Sequence, residues 1–247
     1  MLNDELLERY SRQILLPDID LVGQENIRQA SVLIVGCGGL GSMAALFLAG
    51  AGVGKLTLVD ADRVELSNLH RQLAFRESDV DQLKSQALKN QLAALNSKIK
   101  ITSSIQRFGD DAESDTELLK EMDIVIDATD NLASRHMIER YTRDAQKPWI
   151  MGAATRLHGQ VAAFSGSRAE GCYRCLAPSE YESEDFDCRS EGVLGPVVGV
   201  IAAWQAQDAL TFLSGQNLEW GVLRVYDATR QRIDRLVVTP RGQCHTS

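Results

Sequence analysis

The feature that most constrains this chain is the stretch VLIVGCGGLGSMAALFLAG at residues 32–50, where a short apolar run breaks into glycines and resumes as a helical pattern. A short, fully apolar run of this kind reads as a strand buried on both faces, as in a parallel sheet covered by helices. The glycines Gly36, Gly38 and Gly41 stand in G-x-G-x-x-G order, with the strand before them and the helix after. In that setting the first glycine permits a tight turn and the second lets backbone approach a phosphate. The third lets the helix pack close to the strand. The helix then offers free N–H groups and the positive end of its dipole to an anion.

The alternation extends along the first 150 residues. KLTLVDAD (55–62), KIKITSS (98–104), MDIVIDATD (122–130) and PWIMGA (148–153) read as further strands. DQLKSQALKNQLAALN reads as a polar helix, with Leu88, Leu92 and Leu95 at helical spacing. Another helix is expected after Asn131, and two more lie before Val32, within LNDELLERYSRQ and around GQENIRQA, separated by a loop with Pro17. After residue 150 the segments LHGQVAAFS, GVLRVYDA and RIDRLVVTP follow without helices between most of them, which suggests an antiparallel extension. One long apolar helix, VVGVIAAWQAQDALTFLSG, interrupts them and stops at Gly215. The expected fold is α/β: a Rossmann-like, mostly parallel sheet with helices on both faces, extended by antiparallel strands in the C-terminal part. No repeat or linker divides the chain. Residues 1–247 read as one domain, with N-terminal helices over 1–30, a nucleotide-binding half over 31–150 and a mixed-sheet tail over 151–247.

Charge narrows the partners. With 26 basic and 34 acidic residues the net charge is −8, which argues against a broad nucleic-acid surface. No apolar stretch reaches the ~18 residues of a membrane helix. The charged start MLNDELLERYSRQ does not read as a signal peptide. Five cysteines, an odd number in motif-like positions, point to a reducing cytoplasm with thiols used for metal or chemistry.

The acids and cations around the glycine turn decide which phosphate it holds. Asp60 closes the second strand about twenty residues after the turn, where a carboxylate accepts bonds from ribose hydroxyls. LSNLHRQ then supplies Asn68, Arg71 and Gln72, and Lys84 follows at the next helix start. A redox dinucleotide keeps its pyrophosphate and needs little charge beyond the helix dipole. A triphosphate about to be cleaved needs Arg and Lys against the charge that develops on the leaving group. Either cation alone could be a solvated surface residue; together they favour a cleaved nucleotide. Asp127 and Asp130 lie at the C-terminal end of an apolar strand, where open α/β sheets bind ligands. Asp130 is a natural Mg²⁺ ligand beside a triphosphate, or else a cap for the helix starting at Asn131. Cys37 reads as a small buried side chain.

At this point the motifs SRQILLP, GCGGLG, LSNLHRQ, DATDN, GCYRCL and CRSEGVLGPVVGV together resemble the ThiF/MoeB/HesA family, bacterial relatives of ubiquitin-activating enzymes, over essentially the whole chain. The resemblance implies an enzyme that binds ATP and Mg²⁺. It adenylates the C-terminal glycine of a ubiquitin-like sulfur-carrier protein ending in Gly-Gly and releases pyrophosphate. The acyl-adenylate then becomes a thiocarboxylate, with sulfur from a sulfurtransferase or cysteine desulfurase. Carried over by motif, Gly36, Gly38, Gly39, Gly41, Asp60, Asn68, Arg71, Gln72, Lys84, Asp130 and Asn131 contact nucleotide or metal. Arg12, Arg71, Lys84, Asp130 and Cys188 carry the chemistry, with Arg12 reaching in from the neighbouring subunit of a homodimer. The carboxylate nucleophile is already ionised at neutral pH, so no general base is needed. His70, His136 and His158 are accordingly expected to be ordinary surface or hydrogen-bonded residues.

The resemblance also gives the cysteines roles. Cys172 and Cys175 form a C-x-x-C that in the family pairs with a second one to bind a structural Zn²⁺. Here Cys244 matches the third ligand, but Ser247 stands in the fourth position and His245 is the neighbouring alternative. Cys188, in DFDCRSEG, matches a cysteine that joins the carrier covalently or transfers sulfur. Arg189 favours its thiolate while Asp185 and Asp187 oppose it, which leaves its reactivity open. GAATRLHGQV resembles the molybdopterin-synthase-activating type, which is preferred, whereas GPVVGV leans toward the thiazole type. Two readings stand outside the family. An NAD-dependent oxidoreductase would use the glycine turn and Asp60 but leaves Arg71, Lys84, Asp130 and the C-x-x-C unexplained. An inactive scaffold would have lost Arg71, Lys84 or Asp130, and all three are present.

Overall fold

The computed structural model describes residues 2–167, 170–178 and 192–241. The apolar runs become parallel strands β1 (Ser31–Val35), β2 (Lys55–Val59), β3 (Lys100–Ser104), β4 (Ile124–Asp127) and β5 (Trp149–Thr155). Strands β6 (His158–Phe164), β7 (Val222–Asp227) and β8 (Arg232–Val237) add antiparallel to the β5 edge. All eight form one sheet, ordered β3-β2-β1-β4-β5-β6-β7-β8. The helices are α1 (Asp4–Ile14), α2 (Asp20–Gln29), α3 (Gly39–Ala51), α4 (Lys84–Leu95), α5 (Ala112–Lys120), α6 (Leu132–Asp144), α7 (Tyr173–Leu176) and α8 (Gly195–Leu213).

The strand alternation sorts the core into two layers. Val32 and Ile34 of β1 pack with Leu56, Leu58, Ile124 and Ile126 against α2, α3, α4 and α8. Leu33 and Val35 point the other way and pack with Val125, Trp149 and Met151 against Leu119 of α5, Ile138 of α6 and Tyr173 of α7. Helices on both faces explain why β1 is apolar on both of its sides. No helix among the described residues is long and apolar enough to cross a membrane.

Two local outcomes differ from the sequence reading. Helix α3 starts at Gly39, inside the glycine turn, and so brings its first N–H groups into the turn itself. Helix α5 lies between KIKITSS and MDIVIDATD, where no helix was expected. Only Asp115 and Leu119 of its nine residues are buried, so it shows no apolar stripe, and Asp111 caps it by accepting from the Ser114 N–H at 3.1 Å. It provides the connection that carries the chain from β3 back across to β4, beside β1. That reversal of strand order makes the crevice at the C-terminal ends of β1 and β4 the switch point where such sheets bind ligands.

Helix α8 is anchored beneath that crevice by Gln205. Its buried Nε2 donates to the Asp127 carbonyl at 2.7 Å and the Ile150 carbonyl at 3.1 Å, joining α8 to β4 and β5. Gly152 is the close approach that admits it, since a Cβ there would lie 2.4 Å from the Gln205 amide carbon. Replacing Gln205→Leu strands two buried carbonyls and is expected to lower stability by about 1–3 kcal/mol, read as a lower urea midpoint at unchanged slope.

Candidate active site

The glycine turn is built by three close approaches and one opening. Gly36 has φ +91°, and a Cβ there would lie 2.8 Å from the Ala128 carbonyl, so the turns after β1 and β4 touch. A Cβ on Gly41 would lie 1.8 Å from the Gly36 carbonyl oxygen, and one on Gly39 would lie 2.7 Å from Val198 of α8. Gly38 alone faces room: its Cβ would meet nothing nearer than Gln72 Nε2 at 3.6 Å. The open position caps α3, where a phosphate oxygen finds unused N–H groups.

Asp60 organises the next shell. Its Oδ2 accepts from the Cys37 N–H at 2.6 Å and its Oδ1 from the Asp62 N–H at 2.7 Å. Burial raises its carboxyl above the ordinary range, against the pull of those N–H groups and of Lys84. Each oxygen keeps a second lone pair for a hydroxyl donor such as a ribose. Lys84 is 8% exposed and places Nζ 3.2 Å from Asp62 Oδ2.

The LSNLHRQ segment supplies the facing wall. Asn68 sits in a short 3-10 turn (Leu66–Asn68), is buried, and accepts from the Glu65 N–H at 3.3 Å. Its carbonyl accepts from the N–H groups of Arg71 and Gln72, both at 3.0 Å. Arg71 is partly buried against Gly39 and lays Nη1 3.1 Å from the Ser67 carbonyl and 2.8 Å from His70 Nε2. Gln72 is 4% exposed, with its amide aimed at Gly38 and its buried Oε1 without a hydrogen-bond partner among the described residues. A buried amide oxygen in that condition is a place for a ligand donor or an ordered water.

Across the switch point, Asp127 and Asp130 divide their roles. Asp127 is fully buried and accepts from the Thr129 N–H at 2.9 Å and the Thr129 hydroxyl at 2.7 Å, which folds the turn after β4. Burial raises its carboxyl, opposed chiefly by Arg135, whose Nη2 also donates to the Thr129 carbonyl at 2.9 Å. Asp130 stands exposed at the end of that turn and accepts from Asn131 Nδ2 at 3.2 Å. The cap of α6 is Asn131 itself, whose Oδ1 accepts from the Ser134 N–H at 2.9 Å. Asp130 is therefore spared the capping role. An exposed carboxylate at the end of the turn that touches Gly36 is of the type Mg²⁺ takes, since that ion uses one or two carboxylates and completes its shell with phosphate oxygens and water.

The other expected residues fall elsewhere. Arg12 is exposed on α1, which packs at the far end of α3, where Gln13 Nε2 donates to the Ala51 carbonyl at 3.1 Å. Twelve helical steps separate that end from Gly39, about 18 Å at the usual rise, so one chain does not bring Arg12 to its own glycine turn. Cys172 and Cys175 lie near Trp149, at the end of the sheet opposite the crevice. Their sulfurs are 3.6 Å apart, close to the about 3.8 Å of two thiolates on one tetrahedral zinc. The Arg241 N–H donates to Cys175 Sγ at 3.3 Å, a bond that steadies a thiolate ligand. Burial pushes the Cys172 thiol up to about 12. Among the described residues no third side chain joins the pair to make a metal-binding group. Cys188, Cys244, His245 and Ser247 lie outside the described residues. Cys37 is fully buried and its thiol is pushed well above the ordinary range by burial, consistent with an inert core residue. His70 and His158 are exposed, whereas His136 is 7% exposed and packs against the Tyr173 ring at 5.1 Å.

Four residues near the site escaped the sequence reading: Asp62, Arg107, Arg135 and Gln205. Asp62 had a signal, since DAD carries a second acid two positions after Asp60 at the same strand end. Arg135 lies one helical turn past Asp130 and donates back to Thr129, whereas Arg107 and Gln205 reach the site only through the packing of distant segments.

The ThiF family model matches residues 10–246. The chain is 43% identical over 243 residues to the sulfur carrier protein ThiS adenylyltransferase of Escherichia coli (strain K12), covering 98% of this chain and 96% of that one. It is 42% identical over 229 residues to the molybdopterin-synthase adenylyltransferase of Salmonella typhimurium, covering 92% and 90%. The crystal structure of E. coli MccB with succinimide superposes at a TM-score of 0.82 with 25% identity, covering 96% of this chain and 73% of that one.

Proposed function

This chain belongs to the ThiF family, and on that premise we propose that it is an ATP-dependent adenylyltransferase acting on the C-terminal glycine of a ubiquitin-like sulfur-carrier protein. The observation that carries the reading is Lys84, an ammonium 8% exposed beside the Asp60 acid of the glycine turn. A hydride-transfer site, whose pyrophosphate stays intact, has no use for a cation buried there.

The chemistry follows from the residues. The first N–H groups of α3 hold phosphate at Gly38, and Asp60 accepts from the ribose. The carrier's carboxylate oxygen attacks the α-phosphorus, forming an acyl–phosphate bond. The bond from the α-phosphorus to the bridging oxygen breaks, and its electron pair leaves with pyrophosphate. Attack of anion on anion needs positive charge, which Arg71 and Lys84 supply as it builds on the leaving oxygens. Asp130 would hold Mg²⁺, which when bound neutralises charge on the phosphates. Arg12 would serve the site of a second copy in a homodimer. Zinc on Cys172, Cys175 and the tail cysteine Cys244 would be structural, because the pair stands at the opposite end of the sheet. A reducing cytoplasm suits the free thiols of Cys37, Cys172 and Cys175.

The carrier has two readings. The GAATRLHGQV segment favours the molybdopterin-synthase small subunit, while the longer match to the ThiS adenylyltransferase favours the thiazole carrier. The test is exchange of labelled pyrophosphate into ATP, with carriers ending in Gly-Gly supplied one at a time. We expect exchange with the molybdopterin-synthase small subunit, lost when its last glycine is removed. Exchange with the thiazole carrier alone would move the chain to the other pathway. Silence with every carrier, despite ATP binding, would overturn the adenylation reading.

A further inference from the structure

We propose that Asp62 is a positioning residue for Lys84, fixing its ammonium at the phosphate site in the productive orientation. The proposal rests on the adenylation reading above and deepens it. Lys84 is the first residue of α4, so its charge sits at the positive end of that helix dipole, where a cation is disfavoured. It is also buried, and its four-carbon stem would be free to swing without a partner. Asp62 answers both problems. Its Oδ2 lies 3.2 Å from Lys84 Nζ, and its own backbone carbonyl accepts from the Lys84 N–H at 2.9 Å. Its backbone N–H is tied to Asp60 Oδ1 at 2.7 Å, so the acid that faces the ribose and the acid that holds the lysine form one rigid unit.

Arg107, beyond the end of β3, reaches the other Asp62 oxygen at 3.6 Å. Its side chain is 70% exposed, and screening by water makes that contact weak. The Lys84 contact, with a side chain only 10% exposed, is the one that matters. An ammonium has three donors, so Nζ can keep Asp62 and still give a hydrogen to a phosphate oxygen. The carboxylate therefore need not release the lysine when ATP arrives. Its work is orientation, and orientation is felt in turnover more than in ground-state binding.

The test uses the full chain with its carrier and the same pyrophosphate exchange. Both backbone bonds of Asp62 survive replacement by alanine or serine, so Asp62→Ala is expected to fold; Asp62→Ser is the second variant should it not. Removing the carboxylate is expected to lower kcat at least tenfold while the KM for ATP stays within threefold. Asp62→Asn keeps an acceptor oxygen in place and is expected to recover most of the rate. In the double variant with Lys84→Ala, the Asp62 change should add nothing, because the residue it orients is gone. Wild-type kcat in Asp62→Ala, a rise in KM without a fall in kcat, or a further loss in the double variant would each overturn the proposal. No exchange by wild-type protein with any carrier would overturn the adenylation reading and the inference built on it, whereas failure in the Asp62 variants alone would overturn only the inference.

Discussion

Asp130→Ala is expected to reduce ATP–pyrophosphate exchange by at least ~100-fold, the scale of removing one preorganised electrostatic contact, while leaving the fold untouched. The separation is possible because Asn131, not Asp130, caps α6. Thr129, Asp127 and Arg135 hold the preceding turn through hydrogen bonds of their own. Exchange rate and thermal midpoint, measured on the same preparation, read the two effects independently. Wild-type exchange in the variant would remove Asp130 from the mechanism. A large fall in the midpoint would instead make it a structural acid.

Gly41→Ala should be as damaging to nucleotide binding by another route. The new methyl would start 1.8 Å from the Gly36 carbonyl oxygen and 3.1 Å from the Ala128 Cβ, so backbone must move. What moves is the turn that holds phosphate. We expect ATP affinity to fall on the order of 100-fold, with about 1–3 kcal/mol of stability lost to overpacking. Gly50→Ala on the same helix is the control, because a Cβ there meets nothing within 4 Å. That change should gain roughly 0.5–1 kcal/mol, the helix preference of alanine over glycine. Calorimetric titration with ATP and urea unfolding of the two variants separate the outcomes. Equal ATP affinity in both would mean that the close approach at Gly41 does not shape the phosphate cradle.

The parallel half of the sheet was legible because its central strands β1, β4 and β5 are short, mostly apolar runs buried over most of their length and its helices carry the matching spacing. Helix α5 was not, since AESDTELLK buries only two residues and offers no stripe to read. Asp130 was legible as a ligand candidate from its place after an apolar strand, but its freedom from capping was not, because a cap is decided by one hydrogen bond. The basic character of the site was visible in Arg71 and Lys84. The acid that holds Lys84 was half visible: DAD marks Asp62 as a second acid at the strand end, but its pairing with Lys84 exists only once strand end and helix start are brought together.

The sequence by itself determined the class of fold, the location of the phosphate turn and the kind of charge around it, because each of these depends on residues near one another along the chain. Only the tertiary structure decided that Gly36 touches the turn after β4, that Gln205 fastens α8 to two strands, and that Arg12 lies at the far end of α3 from the turn of the same chain. Those facts arise from contacts between segments tens of residues apart, whose energies come from packing and from hydrogen bonds that no local spacing encodes.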